Sequence, residues 1–125
     1  EIKKLSYDIK KTLKDSVKLT KNNNKIIVNL AINYGSRQEI LLSVKKSKKK
    51  VNLKNLNNNL YTKNMPNPDI LIRTGGHQRL SNFLLWQLAY SELFFLKKLW
   101  QEFNMQDLTK VVKKYKKIKR NFGSL

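Results

Sequence analysis

The chain has 125 residues, of which 40% are hydrophobic, and a formal net charge of +19. This length allows one hydrophobic core and excludes two domains, and no apolar run reaches the roughly 20 residues that cross a bilayer. The absence of Cys excludes disulfides and thiolate metal sites. We therefore expect a single globular domain over residues 1–125.

The positive charge is mostly lysine. Lys supplies 23 of the 27 basic side chains, and there are 15 Asn, a combination typical of an AT-rich genome at permissive surface positions. This favours a solvated lysine surface over a nucleic-acid interface, so we expect no nucleic-acid partner, although a basic nucleic-acid-binding module remains the less favoured alternative. The four arginines indicate positions that need a planar, bidentate donor.

The first third of the chain predicts a helix, a strand and a second helix. Apolar residues at spacings of three and four predict an amphipathic helix over residues 2–20. The β-branched and apolar run of residues 25–35 predicts a strand buried on both faces. Ser36 is the expected N-cap of the next helix, with Glu39 at its third position, and the helix continues through Val44.

The remaining elements follow in alternation. We predict a short helix around Leu53 to Leu60, a second buried strand at DILIRT (residues 69–74) and a buried helix at SNFLLWQLAY (residues 81–90), capped by Ser81 or Asn82. Residues 91–96 favour a third strand, with a helix left open, and the tail of residues 105–120 has helical spacing. The aromatic residues of these apolar segments are expected in the core: Trp86, Tyr90, Phe94 and Phe95. Trp100 is expected to be a partly exposed packing anchor.

This order of elements predicts an α/β layer structure with parallel strands. In such sheets, ligands bind at the carboxyl ends of strands, where the strand-to-helix loops gather. The segment RTGGHQRLSN, residues 73–82, is predicted to be such a loop.

This loop has the features that an oxyanion ligand requires. A helix start offers free N–H groups, and Gly75 and Gly76 let the backbone approach a ligand or adopt positive φ. Arg73 and Arg79 can each grip a phosphate with two charge-assisted hydrogen bonds, and Ser81 adds a hydroxyl. The pattern predicts a phosphate or diphosphate pocket. A plain turn with the two arginines in surface ion pairs is the alternative that the pattern leaves open.

Two further residues, Glu92 and His77, have side chains that could take part in chemistry. Glu92 lies in the apolar stretch LAYSELFF, where a carboxylate needs a cation or a donor beside it. A Mg²⁺ ion bridging Glu92 to a bound diphosphate would supply the cation, and an ion pair with an arginine is the alternative. His77 is the chain's single His and has no readable Ser and acid partners, so nucleophilic catalysis is not expected.

Three segments carry a resemblance to a known family. PDILIRTGGHQRLSNFLLWQLAYSELFF closely resembles the C-terminal signature of the cis-prenyltransferases, the undecaprenyl diphosphate synthase family, whose usual form is IRT[SG]GExRxSNFLLWQ followed by AYxEL. INYGSRQEI resembles the family's NYGGRxEI segment, and RNFGSL resembles its terminal RRFGG. The three motifs stand in the family's order and span essentially the whole chain.

The resemblance implies an α/β fold of the undecaprenyl diphosphate synthase type, without its N-terminal portion. It implies a homodimeric transferase, either cytoplasmic or in peripheral contact with the inner membrane face, that condenses isopentenyl diphosphate with an allylic diphosphate in cis geometry to make polyprenyl diphosphate. Carried over by position, the residues that bind isopentenyl diphosphate are Arg73, Arg79, Leu80 and Ser81. Glu92 is the implied Mg²⁺ ligand.

The sequence also departs from the family pattern. His77 stands where the family usually has Glu, and Asn121 replaces the second Arg of RRFGG. The family's MDGNGRWA loop, which carries the catalytic Asp and holds the allylic diphosphate, has no counterpart, so no catalytic residue is assigned here. We expect this chain alone to be inactive. A non-catalytic partner subunit or a remnant of a synthase is the alternative function.

Overall fold

The computed structural model describes residues 5–47 and 51–120. The chain divides into two compact units, Glu1–Tyr34 and Gly35–Leu125. The single domain over residues 1–125 stays a prediction.

The first unit contains helix α1, Tyr7–Thr20. This helix confirms the helix that was predicted from apolar residues at helical spacing. Residues 2–4 of the predicted range lie outside the described part of the chain. The helix buries no residue and carries local bonds from Ser16 Oγ to the Thr12 carbonyl and from Thr20 Oγ1 to the Ser16 carbonyl.

The predicted strand over residues 25–35 is wrong. Residues 25–34 form no strand, and the side chains of Ile26, Ile27 and Val28 are each at least 75% exposed. A strand requires a neighbour that accepts and donates its backbone hydrogen bonds. The sheet found among the described residues has two strands, and neither of them comes from this segment.

The second unit begins with two packed helices, α2, Ser36–Lys46, and α3, Leu53–Asn59. Both were predicted, and Ser43 Oγ joins them by donating to the Leu56 carbonyl at 2.6 Å. The predicted cap is wrong, because Gly35 is the N-cap and Ser36 is the first helical residue. The hydroxyl of Ser36 is buried and accepts a hydrogen bond from the Leu85 N–H instead.

Two parallel strands form the sheet, β1, Ile70–Arg73, and β2, Glu92–Phe95. Both were predicted as strands, and parallel pairing is confirmed. Ile70 pairs with Glu92 at one end of the ladder and Arg73 pairs with Phe95 at the other. The strands are half-buried rather than buried, because the ladder has no third strand among the described residues.

The predicted buried helix over residues 81–90 is wrong. These residues form turns, and φ is positive at Ser81, Asn82 and Leu84, which a right-handed helix does not allow. Backbone groups that would bond within a helix bond to α2 instead. Tyr90, predicted to lie in the core, is 64% exposed, whereas Trp86, Phe94 and Phe95 are half-buried.

The last elements are a 3-10 helix, Trp100–Glu102, and helix α4, Met105–Tyr115. The Asn104 side chain caps α4 by accepting from the N–H groups of Gln106 and Asp107. Trp100 is 72% exposed and stacks on Phe103, as expected of a partly exposed anchor. The buried apolar side chains of the described residues are few: Leu56, Leu60, Leu88 and Val111.

Candidate functional site

The glycine loop starts at the carboxyl end of β1. Gly75 has φ +88° and Gly76 has φ +75°, a left-handed backbone that glycine adopts without strain. The Gly75 N–H donates to the Lys98 carbonyl at 2.8 Å and the Gly76 N–H to the Leu96 carbonyl at 2.9 Å. These two amides therefore fasten the loop to the chain after β2. They are not free to hold an anion, and no helix start follows them.

Arg73 joins the two ends of the loop. Its Nη1 donates to Ser81 Oγ at 2.9 Å and also to the carbonyl of Arg79. The structure thus brings the side chains of Arg73 and Ser81 together, with the backbone of Arg79 beside them. Leu80, the fourth predicted substrate-binding residue, is half-buried. Arg79 is exposed. Residues 73–81 contain two arginines and no carboxylate, so the loop is electropositive.

The segment after the loop is held by the N-terminus of α2. The Ser36 N–H donates to the Asn82 carbonyl at 2.8 Å, and the Arg37 N–H donates to Asn82 Oδ1 at 2.9 Å. Leu85 N–H donates to Ser36 Oγ at 3.0 Å. The free N–H groups at a helix start require such acceptors. Asn82 thereby caps a helix 45 residues away in sequence.

A buried carboxylate supports the same segment, and the sequence did not predict this role. Glu39 is 2% exposed; its Oε1 accepts from the Tyr61 N–H at 2.7 Å, and its Oε2 accepts from Gln87 Nε2 at 3.2 Å. Gln87 Nε2 also donates to Thr62 Oγ1, whereas Gln87 Oε1 has no partner within the described part of the chain. The signal in the sequence was a Gln inside the apolar run FLLWQLAY, because a buried amide requires partners.

Glu92 lies apart from the arginine loop. It begins β2, opposite Ile70, whereas Arg73 ends β1, so three residues of strand, roughly 10 Å, separate them along the ladder. Over residues 5–47 and 51–120, no three His, Asp or Glu side chains gather to hold a metal. A lone carboxylate can hold Mg²⁺ only with phosphate oxygens or other ligands beside it. The described residues therefore do not by themselves complete a Mg²⁺ site at Glu92, whose other ligands would come from a bound diphosphate or from outside these residues.

An ion pair fixes the end of the described chain beside β1. Arg120 Nη1 donates to Asp69 Oδ1 at 2.7 Å and to the Tyr115 hydroxyl at 2.7 Å, and Nη2 donates to the Tyr90 carbonyl. The hydrogen bond from Arg120 lowers the pKa of the Asp69 carboxyl below its ordinary value. Asp69 precedes β1, and its carbonyl accepts the Glu92 N–H. Asn121, which departs from the family pattern, lies outside the described residues.

The family model for undecaprenyl diphosphate synthase matches residues 1–123. The chain belongs to the undecaprenyl diphosphate synthase family. An isoprenyl transferase of Rickettsia sibirica is 46% identical over 123 residues, which cover 95% of this chain and 54% of that protein. The chain spans about half the length of the curated relatives that it matches.

Solved structures of the family show the same fold. The crystal structure of a "probable undecaprenyl diphosphate synthase" from Campylobacter jejuni matches with a TM-score of 0.86 at 32% identity, covering 99% of this chain and 60% of that one. Lavandulyl diphosphate synthase from Lavandula x intermedia, in complex with dimethylallyl diphosphate, matches with a TM-score of 0.92 at 29% identity, covering 99% and 58%. The α/β fold of this type is thus confirmed for the chain.

A helix that crosses a bilayer must be long and apolar. Within the described ranges, no helix is long and apolar enough to cross a membrane.

Proposed function

We propose that this chain carries the isopentenyl-diphosphate-binding part of an isoprenyl transferase that extends an allylic diphosphate by cis addition to make polyprenyl diphosphate. The observation that supports it most strongly is the set of bonds from Arg73 to Ser81 Oγ and the Arg79 carbonyl. These bonds hold the Ser81 hydroxyl and the backbone of Arg79 against the Arg73 guanidinium at one strand end, in a chain that belongs to a family of diphosphate synthases.

The loop would bind a diphosphate through side chains. Because the amides of Gly75 and Gly76 are already bonded, the donors available to an anion are the guanidinium groups and the Ser81 hydroxyl. Arg79, which is exposed, would make the first contact, and Arg73 would share its donors between the loop and the ligand. A bidentate guanidinium suits a phosphate oxygen pair better than an ammonium does. Leu80 would line the diphosphate pocket between Arg79 and Ser81.

The loop must also be held in one geometry for binding to be strong. Asn82, Ser36 and Glu39 fix the chain that follows Ser81 onto α2. In this proposal, binding energy is not lost on ordering the loop, because the fold has already ordered it.

Mg²⁺ and a second copy of the chain belong to the proposal through the family resemblance. Glu92 would be the carboxylate for Mg²⁺, with its other ligands supplied from outside the ladder that it begins. When bound, the ion would neutralise charge on a diphosphate. No step proposed for Arg73, Arg79 or Ser81 depends on it. Sedimentation of the purified chain tests whether it is a homodimer.

The direct test is binding of isopentenyl diphosphate to the purified chain by calorimetry. We expect Arg79→Ala to weaken binding at least about tenfold, since charge-assisted bonds contribute about 1.5–3 kcal/mol each. Lys45→Ala, which removes an equal charge from the last turn of α2, is the matched control and should change little. Equal losses in both variants would contradict a specific site.

The same preparation tests the expected lack of turnover. We expect no chain elongation when the purified 125-residue chain is given isopentenyl diphosphate and an allylic diphosphate, because no residue here is assigned to hold the allylic substrate. Detectable elongation would overturn this expectation. Co-purification with a complete synthase would favour the alternative of a non-catalytic partner subunit.

A further inference from the structure

The glycine loop carries the chain's single histidine. His77 follows Gly76 directly, and residues 76–79 of the loop are all exposed. The proposed function uses the arginines and the Ser81 hydroxyl and leaves His77 without a role. Histidine is the side chain whose charge ordinarily changes between about pH 5 and 8. Near neutral pH, His77 can therefore add a positive charge to the loop or withdraw it.

The backbone holds His77 between two fixed parts of the loop. On one side, the Gly76 N–H donates to the Leu96 carbonyl at 2.9 Å. On the other side, the Arg79 carbonyl accepts from the Arg73 guanidinium. Two residues of fully extended chain span at most about 7 Å, so the Cα atoms of His77 and Arg79 lie no farther apart than that. A diphosphate held between the two arginines would lie within reach of the His77 side chain.

The segment after β2 packs against the loop and adds two lysines. The Cα of Lys97 lies 3.9 Å from a Cβ built on Gly76, and the Lys98 carbonyl accepts the Gly75 N–H at 2.8 Å. Lys97 is exposed, whereas the Lys98 ammonium pairs with the Asp107 carboxylate at 2.8 Å. This side of the loop therefore contributes an exposed ammonium, and the carboxylate bonded to it already has a cation.

Helix α2 is bonded to the far end of the loop and adds an arginine. Arg37 is exposed, and its backbone N–H donates to Asn82 Oδ1 at 2.9 Å. Glu39 of the same helix is 2% exposed, so its carboxylate does not face the water around the loop. Residues 73–81 contain two arginines and no carboxylate. The anion that would stabilise a protonated His77 is therefore a bound one rather than a carboxylate of the loop.

We propose that His77, when protonated, is a third cation that binds the diphosphate held by Arg73 and Arg79. This inference rests on the proposed function, because it assigns a further residue to the same site. Both ring nitrogens of a protonated imidazole are donors, so it can make a charge-assisted hydrogen bond to a phosphate oxygen. Even without that bond, a charge within about 7 Å acts inside the Debye length of about 8 Å at physiological ionic strength.

Diphosphate binding is then coupled to the uptake of a proton. As pH falls, a larger fraction of His77 is charged, and the affinity of the loop for a diphosphate should rise. Ionisation of the ligand acts in the opposite direction, because the last proton of a phosphate ester binds near about pH 6 and lowers the ligand's negative charge. The two effects are separated by comparing variants at the same pH.

Calorimetry with isopentenyl diphosphate between about pH 5.5 and 8.5 makes this comparison. His77→Gln keeps a neutral donor, and the ratio of wild-type to variant affinity cancels the ionisation of the ligand. We expect the wild type to bind about five- to tenfold more tightly than His77→Gln at the acidic end and about equally at the basic end, because charge-assisted hydrogen bonds are the stronger ones. His77→Lys, which stays charged throughout, should exceed His77→Gln by a similar factor at every pH.

A histidine elsewhere on the chain is the matched control. Adding Lys45→His to His77→Gln puts an imidazole in the last turn of α2, whereas Asn82 bonds to the first turn. This double variant should bind like His77→Gln across the pH range. Calorimetry in two buffers of different ionisation enthalpy also counts the protons taken up on binding. Near neutral pH, the wild type should take up more protons than His77→Gln.

The outcomes distinguish this inference from the proposed function. If the wild type binds isopentenyl diphosphate and Arg79→Ala weakens binding, but the ratio to His77→Gln stays constant with pH, the inference fails and the proposed function stands. The inference also fails if Lys45→His recovers the pH dependence, because any surface imidazole would then serve. Absence of binding by the wild type and every variant would overturn both. Circular dichroism of each variant confirms that its helices are retained.

Discussion

The Arg37 N–H donates to the side-chain Oδ1 of Asn82 at 2.9 Å, so the residue that follows the arginine loop by sequence caps α2. Asn82 has φ +63°, which Asn tolerates better than most residues. One side chain thus links the first turn of a helix to the position of Ser81. The link is testable because its two properties, the acceptor and the backbone angle, can be changed separately.

We expect Asn82→Gly to lower the free energy of unfolding by about 1 kcal/mol, since it removes a capping acceptor and keeps the backbone angle. Asn82→Asp keeps an oxygen at the same place and should cost less. Asn82→Ala should cost more than Gly, because it adds left-handed strain of about 1–2 kcal/mol. Urea unfolding measures all three. Equal stability of the Gly and wild-type chains would show that the bond contributes nothing.

Gly75 offers a test of backbone angle without steric conflict. A Cβ built there meets no atom within 4 Å, although φ is +88°. We expect Gly75→Ala to destabilise the chain by about 1–2 kcal/mol through backbone strain alone. Gly75→Asn, which adds a larger side chain, should destabilise it less because Asn tolerates positive φ. Thermal unfolding compares the two, and a larger loss for Asn would mean that space, not φ, limits this position.

The buried carboxylate of Glu39 is expected to be important for stability. Glu39→Ala leaves the Tyr61 N–H without its acceptor at 2.7 Å and removes one of the two acceptors of Gln87 Nε2. An unpaired buried donor costs about 1–3 kcal/mol, so we expect a loss of at least that size in urea unfolding. Glu39→Gln, which keeps one carbonyl oxygen, should lose less. Asp15→Ala on α1 is the exposed control, and an equal loss there would contradict the prediction.

The Asp69–Arg120 pair predicts a pH dependence of stability. The hydrogen bond from Arg120 lowers the pKa of Asp69 and raises that of Arg120, so both directions agree. A carboxyl with a lowered native-state pKa stabilises the fold above its unfolded-state pKa, and this contribution is lost as pH falls through the native-state pKa. A double-mutant cycle with Asp69→Asn and Arg120→Gln should therefore show coupling at neutral pH.

The coupling in that cycle should vanish in acid, once Asp69 is protonated in the folded chain. Unfolding by urea at neutral and strongly acidic pH measures it. A coupling of the same size at both pH values would contradict an ionic contribution. The side chain of Asp69 is 65% exposed, so high salt should also reduce the coupling.

Metal removal tests the separation of Glu92 from the loop. Because Glu92 and Arg73 lie at opposite ends of the ladder, we expect Glu92→Gln to leave binding of isopentenyl diphosphate to this chain unchanged. Adding EDTA should have as little effect on the variant as on the wild type. A loss of affinity in calorimetry with Glu92→Gln, seen only when Mg²⁺ is present, would show that metal and loop act together.

Sequence patterns predicted the elements that depend on local periodicity. α1, α4, β1 and β2 are found where spacing and β-branched composition placed them, although their ends differ. The predicted strand over residues 25–35 failed because apolar composition does not specify a pairing partner. The predicted helix over residues 81–90 failed because positive φ at Ser81, Asn82 and Leu84 depends on bonds to α2.

In the candidate site, too, the sequence predicted what depends on nearby residues and missed what depends on distant partners. Arg73, Arg79 and Ser81 are close in sequence, so their proximity followed from one short loop. The partnership of Glu39 with Gln87 spans 48 residues, and a single sequence carries no signal for the pairing itself. His77, which differs from the family pattern, is exposed. Its effect on binding can therefore be tested by substituting it.

The segment of residues 26–31, which belongs to no helix or strand, has a practical consequence for anyone who handles this chain. Its aliphatic side chains are exposed, and its backbone has no strand assignment. Such a stretch is a template onto which other molecules can add as strands. We therefore expect turbidity on concentration to be governed by these few residues rather than by unfolding of the helices, and a Val28→Lys substitution to delay it.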